Sequence, residues 1–564
     1  RRRAARAAGG YSEGGLSEQK SVRHVFANHA RIAWVVAGND PGLAPSLTAE
    51  GFEAAQLAKA TGTAAAMAGM GARFAAGDDA LARLVRDRQD ATERWRRANK
   101  KLVGAVGQPP DQRDRNSEQQ LRAQLADLEN TLEDLDRRLS REFPEYAELA
   151  SPQPLSLAET RKLLGPGEAM LTYLVGDEDT FVWVVLPSDA RMFRLGIGGK
   201  ELAESVTGLR KGLDATGITG LADVPAFDTT KSFQLYGRIF AAAEGMIAGL
   251  RHLFVVPDGA LQSLPLGVLV TEKPSGEPTD FSGYREVPWL ARKYAMTTLP
   301  SVSSLRALRR FARATRASKP FVGFGDPLLK GHPGERRGVK LASLFTSRGV
   351  ADVNAVRNQL APLPDTADEL EAMAEILGAG KADLFLRARA TETRVKNDDL
   401  TDYKVLAFAT HGLVAGDLKG LAEPALVLTP PKIGTAEDDG LLTAGEVATL
   451  KLNADLVVLS ACNTASADGS PNAEALSGLT KAFFYAGSRS LLVSHWPVGS
   501  DAAVKLTTRM LKEVANDNSV GRAEGLRRSM LALMDTPGKP YYAHPMFWAP
   551  FVIVGEGGVY APSW

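Results

Sequence analysis

The 564 residues contain a single cysteine, Cys462. It follows the apolar run Leu456-Val457-Val458-Leu459 and precedes a polar, Gly-containing stretch from Asn463 to Asn472. That pattern reads as a buried strand with an abrupt exit into a loop. A second apolar run, Val405-Leu406-Ala407-Phe408-Ala409, ends in Thr410-His411-Gly412. In open parallel α/β sheets the carboxyl ends of the strands form the site edge. Two such strands, side by side, put a thiol and an imidazole on one edge. The chemistry of that pair is nucleophilic attack on a carbonyl carbon. The imidazole promotes the thiolate and then hands a proton to the leaving group. The two residues lie 51 positions apart, room for one crossover unit, so the strands can be neighbours. Gly412 lets its N–H come close to a developing oxyanion, and the Cys462 N–H is the second candidate donor.

Taken singly, each residue has a plain structural explanation. A lone cysteine is usually a small buried hydrophobe, and a histidine after a strand is usually a loop residue bonded to backbone. It is the pairing at two strand ends that points to catalysis. Further candidates sit on the same edge. Ser494-His495-Trp496 ends another apolar run, and His495 beside Trp496 can line a cleft. Asp468 and Asp501 can bring negative charge there; the plain reading of Asp468 is a solvated loop acid, and for Asp501 a helix N-cap is the favoured one. There is no Cys-x-x-Cys, no His-Glu-x-x-His and no Gly-x-x-x-x-Gly-Lys-Ser/Thr, so neither a metal nor a nucleotide cofactor is expected.

The elements that must position these residues begin with a chain long enough for two or three domains. The 67 basic and 66 acidic residues nearly cancel, so nucleic acid is not indicated as a ligand. No apolar run approaches a membrane span, and one cysteine excludes an intrachain disulfide, which fits a reducing cytoplasm. The chain opens Arg-Arg-Arg without an initiator Met or a signal-peptide core, as expected of a piece of something longer.

Residues 1–46 lack periodicity and are expected to be a loose lead-in, with Val25 to Val36 as the remnant of a helix. Residues 47–150 read as helical. Leu81, Leu84, Val85, Trp95, Ala98 and Leu102 recur at spacings near three and four, and Leu121, Leu125, Leu128, Leu132, Leu135 and Leu139 form a heptad-like stripe. Pro109 and Pro110 separate the two, which gives an antiparallel hairpin suited to packing on itself or to binding a partner. After Ser151-Pro152-Gln153-Pro154 the period changes. Strand runs at 169–174, 180–186 and 252–256 are interleaved with helical patterns at about 200–213 and 231–249, and Leu305 to Ala314 is a basic helix. From Phe321 onward strands and helices alternate regularly, ending in the strand Phe551 to Val554. The fold class is therefore α/β, a mostly parallel sheet with helices on both faces, preceded by a helical hairpin or repeat-like region.

These segments resemble the CHAT domain, a family of caspase-like, separase-related cysteine peptidases of bacteria that are often fused to tetratricopeptide repeats. The resemblance rests on Phe408-Ala409-Thr410-His411-Gly412 and Leu459-Ser460-Ala461-Cys462-Asn463-Thr464. It extends through Asp439 to Glu446, Glu474 to Leu479, Ser494 to Val498, Phe547 to Phe551, Val255 to Leu261 and Leu299-Pro300-Ser301, covering about 155–564. It implies a cysteine endopeptidase with His411 and Cys462 as the dyad. It also implies two caspase-like halves, a pseudo-protease half at 155–315 and an active half at 316–564. No clean 34-residue repeat is present upstream.

Caspases read an acidic P1 residue with arginines and a Gln two before the nucleophile; metacaspases read a basic one with an Asp there. Here that position is Ser460, and Ser494-His495-Trp496 lacks the caspase arginine. Ser460, Ser494, His495, Trp496 and Asp501 are the candidate substrate-binding residues, with P1 either basic against Asp501 or apolar under Trp496. The expected partners are a protein or peptide substrate and a regulator at the N-terminal helices. The competing expectations are a catalytically silent caspase-like scaffold and another hydrolase or thiol transferase using the same pair.

Overall fold

The computed structural model describes residues 23–59, 80–106, 113–142, 154–214, 218, 220–311, 317–331, 351–413, 423–435, 437–461, 478–497 and 499–559. Cys462 and Asp468 lie outside them, as do Asn463 to Ser477.

Two helices open the described chain, α1 (Arg23–Asn39) and α2 (Ala44–Leu57). α1 contains the helix remnant expected at Val25 to Val36, and all but three residues of α2 fall in the region read as helical; what is corrected is the looseness of the lead-in, where α1 is packed. The reason lies in α1 itself. Its buried face is built from small residues, Ala30 and Ala33, while Val25, Ile32, Val35 and Val36 are exposed on the other side. Apolar residues on both sides erase the amphipathic period that marks a helix. The pair is fixed to the sheet by polar contacts. Arg23 Nη2 donates to Asp258 Oδ2 at 2.5 Å and to the Val175 carbonyl at 3.0 Å. Trp183 Nε1 donates to the Thr48 carbonyl at 3.1 Å. The buried Lys59 ammonium reaches the Val256 carbonyl at 3.1 Å, and burial lowers its pKa to about 8 despite the nearby Asp258 charge.

Next comes the expected hairpin, α3 (Ala80–Val106) and α4 (Arg115–Glu142). Leu84, Ala91 and Ala98 of α3, with Leu125 and Leu135 of α4, are its buried apolar residues among those described.

The remainder is organised by one eleven-stranded sheet among the described residues, in the order β3-β2-β1-β4-β5-β14-β13-β12-β8-β6-β7. The first half of the chain supplies β1 (Glu168–Val175), β2 (Thr180–Val185), β3 (Ala190–Arg194), β4 (His252–Val256) and β5 (Ala295–Thr298). The second half supplies β6 (Lys319–Gly325), β7 (Leu384–Leu386), β8 (Tyr403–Ala409), β12 (Leu456–Ser460), β13 (Ser490–Ser494) and β14 (Phe551–Gly555). A separate antiparallel sheet joins β9 (Gly412–Leu413), β10 (Ala425–Val427) and β11 (Leu441–Thr443).

Within each half the strands between β1 and β5, and between β13 and β7, run mostly parallel and are buried on both faces, so their sequences are continuous apolar runs. Helices α5 (Gly199–Lys211), α6 (Thr229–Ile239), α7 (Asp365–Leu377), α9 (Ser500–Asn516) and α10 (Arg522–Met534) share one core with alternate strand residues such as Val405, Ala407 and Val458. The opposite face packs Leu406, Phe408, Val457 and Leu459 with Phe52 of α2 and with Leu479 and Phe483 of α8 (Gly478–Ala486). The helical pattern at 231–249 resolves into α6 and a short second helix, Ala241–Ile247, separated at Phe240.

The two halves meet at β14, which pairs parallel with β5 and antiparallel with β13. At the lower end of this seam the Arg309 guanidinium lies between two carboxylates. It reaches Glu168 of the first half at 2.6 and 2.8 Å and Glu556 of the second at 2.7 and 3.1 Å. His252 Nδ1 stands 3.4 Å from Glu168 Oε1, and its Nε2 stands 2.7 Å from Thr297 Oγ1. Both carboxylates are buried and the Arg309 side chain is about 10% exposed. Hydrogen bonds from Arg309 and His252 outweigh burial and hold the Glu168 carboxyl down at about 2. Replacing Arg309 by Leu strands two buried carboxylates, so it is expected to cost about 3–5 kcal/mol at pH 7, measured by urea denaturation. The stabilisation from Glu168 is complete above its unfolded pKa, near 4.5, and is lost as pH falls toward 2. The gap between parent and variant is therefore expected to narrow across that window. A gap independent of pH would rule out the ionic account.

Candidate active site

Strands β8 and β12 are adjacent and parallel. Their register runs from Leu456 opposite Val405 to Ser460 opposite Ala409. The chain leaves both strands at the same level, into Thr410-His411 on one side and Ala461 on the other. Cys462 is the residue bonded to Ala461.

His411 is about 1% exposed. Its Nε2 lies 2.8 Å from the Ala361 carbonyl oxygen. A carbonyl only accepts, so Nε2 carries the hydrogen and Nδ1 is the basic nitrogen of the neutral ring. The His411 carbonyl accepts the Val427 N–H at 3.0 Å, and Gly412 pairs with Leu426 in the small sheet. Sequence patterning missed that sheet because strands of two or three residues are too short to show alternation.

Under the exit of β12 lies a carboxylate that sequence reading also missed. Glu369 of α7 is fully buried. Its Oε2 accepts from Ser460 Oγ at 3.1 Å, and its Oε1 is 2.9 Å from Thr507 Oγ1 of α9. The available signal was an acid on the apolar stripe Thr366, Leu370 and Met373. A carboxylate placed there needs hydroxyl or N–H partners inside the core.

The other candidates are placed as follows. Ser494 is buried and its Oγ donates to the Ala461 carbonyl at 2.6 Å, which ties β13 to the exit of β12. Trp496 is buried, with Nε1 donating to the Met546 carbonyl at 2.9 Å. His495 is 4% exposed, its N–H donates to the Pro550 carbonyl at 2.8 Å, and its Nδ1 has no hydrogen-bond partner among the described residues. Arg210 of α5 reaches this exit from the first half, with Nη2 3.4 Å from the His495 carbonyl and its guanidinium carbon 6.0 Å from the Trp496 ring centroid. Asp501 does not join them. Its carboxylate bonds the Tyr542 hydroxyl and lies 3.8 Å from Lys539 Nζ. Nor is it the N-cap of α9, which is Gly499; Asp501 sits inside the first turn, where its charge suits the helix dipole. Among the described residues no group of three or more His, Cys, Asp or Glu side chains is arranged to hold a metal ion, and no helix is long and apolar enough to cross a membrane.

A family model described as CHAT domain matches residues 230–556, more than half of the chain. The chain belongs to the CHAT domain family. Tetratricopeptide repeat protein 28 of Mus musculus aligns over 225 residues at 27% identity, covering 35% of this chain and 9% of that protein. The human protein of that name aligns over 341 residues at 22% identity, 56% of this chain and 12% of that one. The chain thus spans about a tenth of these curated relatives. Among solved structures, the separase–securin complex of Saccharomyces cerevisiae is similar over 78% of this chain and 33% of that chain, with TM-score 0.36 and 11% identity. The Arg-specific cysteine proteinase gingipain R is similar over 64% of this chain and 76% of that chain, with TM-score 0.33 and 9% identity.

Burial holds the imidazoles of His495 and His544, both in the CHAT domain, down at about pH 3. The unfolded chain takes up both protons below about pH 6.5, and the folded chain does not. Stability is therefore expected to fall as pH drops from 6.5 toward 3, by about 1.4 kcal/mol per pH unit for each histidine. His495→Phe should remove one such share of the slope in urea denaturation between pH 6.5 and 4. An unchanged slope would mean that the imidazole is not buried in its neutral form.

Proposed function

We propose that this CHAT domain is a cysteine endopeptidase in which Cys462 is the nucleophile and His411 the acid–base partner. The observation that carries the reading is the level register of β8 and β12, combined with a His411 ring whose Nε2 is held by the Ala361 carbonyl. That bond fixes the tautomer and leaves Nδ1 to exchange a proton with a thiol. In the reaction, Cys462 Sγ bonds to the scissile carbonyl carbon, and the oxyanion is met by the N–H groups of Gly412 and Cys462. The C–N bond then breaks, His411 gives its proton to the departing amine, and a thioester remains. Water, deprotonated by His411, hydrolyses the thioester and restores the thiol. Ser494 supports this arrangement by bonding the Ala461 carbonyl, the atom group just before the nucleophile.

The substrate in this reading is a protein or peptide, recognised around Ser460, Ser494, His495 and Trp496. The α3–α4 hairpin is the proposed docking element for a regulator. Its support is its packing, since its buried residues serve the contact between its own two helices.

Peptide-library cleavage read by mass spectrometry tests the assignment. New termini should appear with the parent and vanish, by at least about 10³-fold in kcat/KM, with Cys462→Ala and with His411→Ala. Both variants should keep the parent's circular dichroism and urea midpoint within about 1 kcal/mol or so of stability. Cleavage that survives Cys462→Ala would sink the dyad, and no cleavage by the parent would favour the scaffold reading. Excision of residues 80–142 should change basal cleavage if the hairpin regulates; an unchanged rate counts against that role.

A further inference from the structure

His411 is gripped from two sides. Its Nε2 meets the Ala361 carbonyl at 2.8 Å, and its own carbonyl accepts the Val427 N–H at 3.0 Å. Those two partners belong to different elements. Ala361 follows a short helix, Val353–Gln359, and Val427 ends β10. Between this helix and the small sheet lies a core of its own, with Val356 and Leu360 on one side and Leu413, Ala425, Val427 and Leu441 on the other. Apolar contact is non-directional, so it presses the helix onto the sheet and leaves rotation and sliding to polar ties. One tie stands at the start of the helix. There Asp439 Oδ2 accepts the Ala351 N–H at 2.8 Å, and Oδ1 accepts the Leu441 N–H at 3.1 Å.

The other tie is Arg357, in the last turn of the helix. Its Nη2 donates to the Pro430 and Pro431 carbonyls, each at 2.7 Å. Pro430 lies three residues beyond Val427, and Arg357 lies four residues before Ala361. The bonds therefore close a ring that starts and ends at His411 and passes through Ala361, Arg357, Pro430 and Val427. The two prolines stiffen it, because their φ angles are locked. A planar guanidinium with both hydrogens of one NH2 on such acceptors resists swinging. Without Arg357 the helix keeps its tie at Asp439 and can pivot there. That pivot carries Ala361 away from Nε2.

We propose that Arg357 is a positioning residue for His411, one that holds the Ala361 carbonyl against the ring. Its own bonds go to Asn354, Pro430 and Pro431, so it acts through the backbone that in turn orients the imidazole. The consequence is chemical. While Nε2–H is bonded to Ala361, Nδ1 is the basic nitrogen. A released ring can turn or take the other tautomer, and it then presents an N–H where a base is needed. The effect on cleavage rests on the reading of His411 as the acid–base partner. The effect on the ring does not.

Nitrogen-15 NMR of the histidine rings on the full chain tests this, alongside steady-state cleavage of a peptide found by the library. His411 is assigned by difference with His411→Ala, and in the parent it should show the Nε2–H form. In Arg357→Met that hydrogen should exchange with solvent at least about tenfold faster, the order of one net hydrogen bond. The kcat should fall about tenfold while KM stays within about twofold. Arg357→Lys, whose ammonium can donate to both carbonyls, should restore most of both. His252, on β4, should keep its exchange rate in every variant, which separates local release from a general loss of stability. If circular dichroism shows Arg357→Met misfolded, the shorter Arg357→Gln replaces it. The proposal is overturned if Arg357→Met leaves His411 exchange unchanged, or if His252 changes as much as His411. A parent that cleaves nothing, with a ring that Arg357→Met still releases, upholds the positioning role and removes the peptidase reading. Cleavage with an unmoved ring does the reverse.

Discussion

Everything proposed for the active edge depends on the pairing register of β8 with β12. Side chains alternate along a strand with period two, so a slip of one residue would turn Phe408 and Leu459 from one core to the other. Two dissimilar cores, one on each face, make that slip expensive, because each strand residue is fitted to the helices it meets. The same register sets the two strand exits level. Burial thus fixes the position of the chemistry, and the polar groups only refine it. Ala361 turns the imidazole, Ser494 holds the Ala461 carbonyl, and Glu369 anchors Ser460 beneath the exit.

A second dependence runs across the molecule. The first half brings no member of the proposed dyad, yet it supplies Arg210 beside the β13 exit. It also supplies Glu168, which shares Arg309 with Glu556. A buried ion cluster of this kind contributes little net stability compared with an apolar replacement, but breaking it on one side is costly. Its effect is to specify how the halves are juxtaposed. In the N-terminal direction Arg23 and Lys59 do similar work, fastening α1 and α2 to the ends of β1 and β4.

The sheet was legible in the sequence where strands are long and buried on both faces. Val405 to Ala409, Leu456 to Leu459 and Phe551 to Val554 announce themselves as apolar runs. The failures share a physical cause, a pattern too short or too symmetric to carry a period. Strands β9 to β11 have two or three residues each. Helix α1 is apolar on opposite sides. At the candidate site, the histidine was legible because it follows a strand, and Cys462 lies outside the described residues. The orienting carbonyl of Ala361 and the buried Glu369 were not, because backbone acceptors have no sequence signature and a helical acid normally faces water. Asp501 shows the opposite error, a charge assigned to the edge that instead bonds Tyr542.

The place of β14 has a further consequence, for the order in which the molecule assembles. This strand follows every other strand of the sheet in sequence, yet it occupies the middle, between β5 and β13. Until it is in place, β5 and β13 each present an open apolar edge, and such edges invite pairing with other chains. As the chain is synthesised, the first half can collect its own strands early, but the centre of the sheet closes only after residue 555 has emerged. The β14–β5 contact joins segments more than 250 residues apart, so loop closure makes it a slow step. Closure of the sheet therefore waits for β14, and the exposed interval before closure is the stage at which a chaperone would matter most.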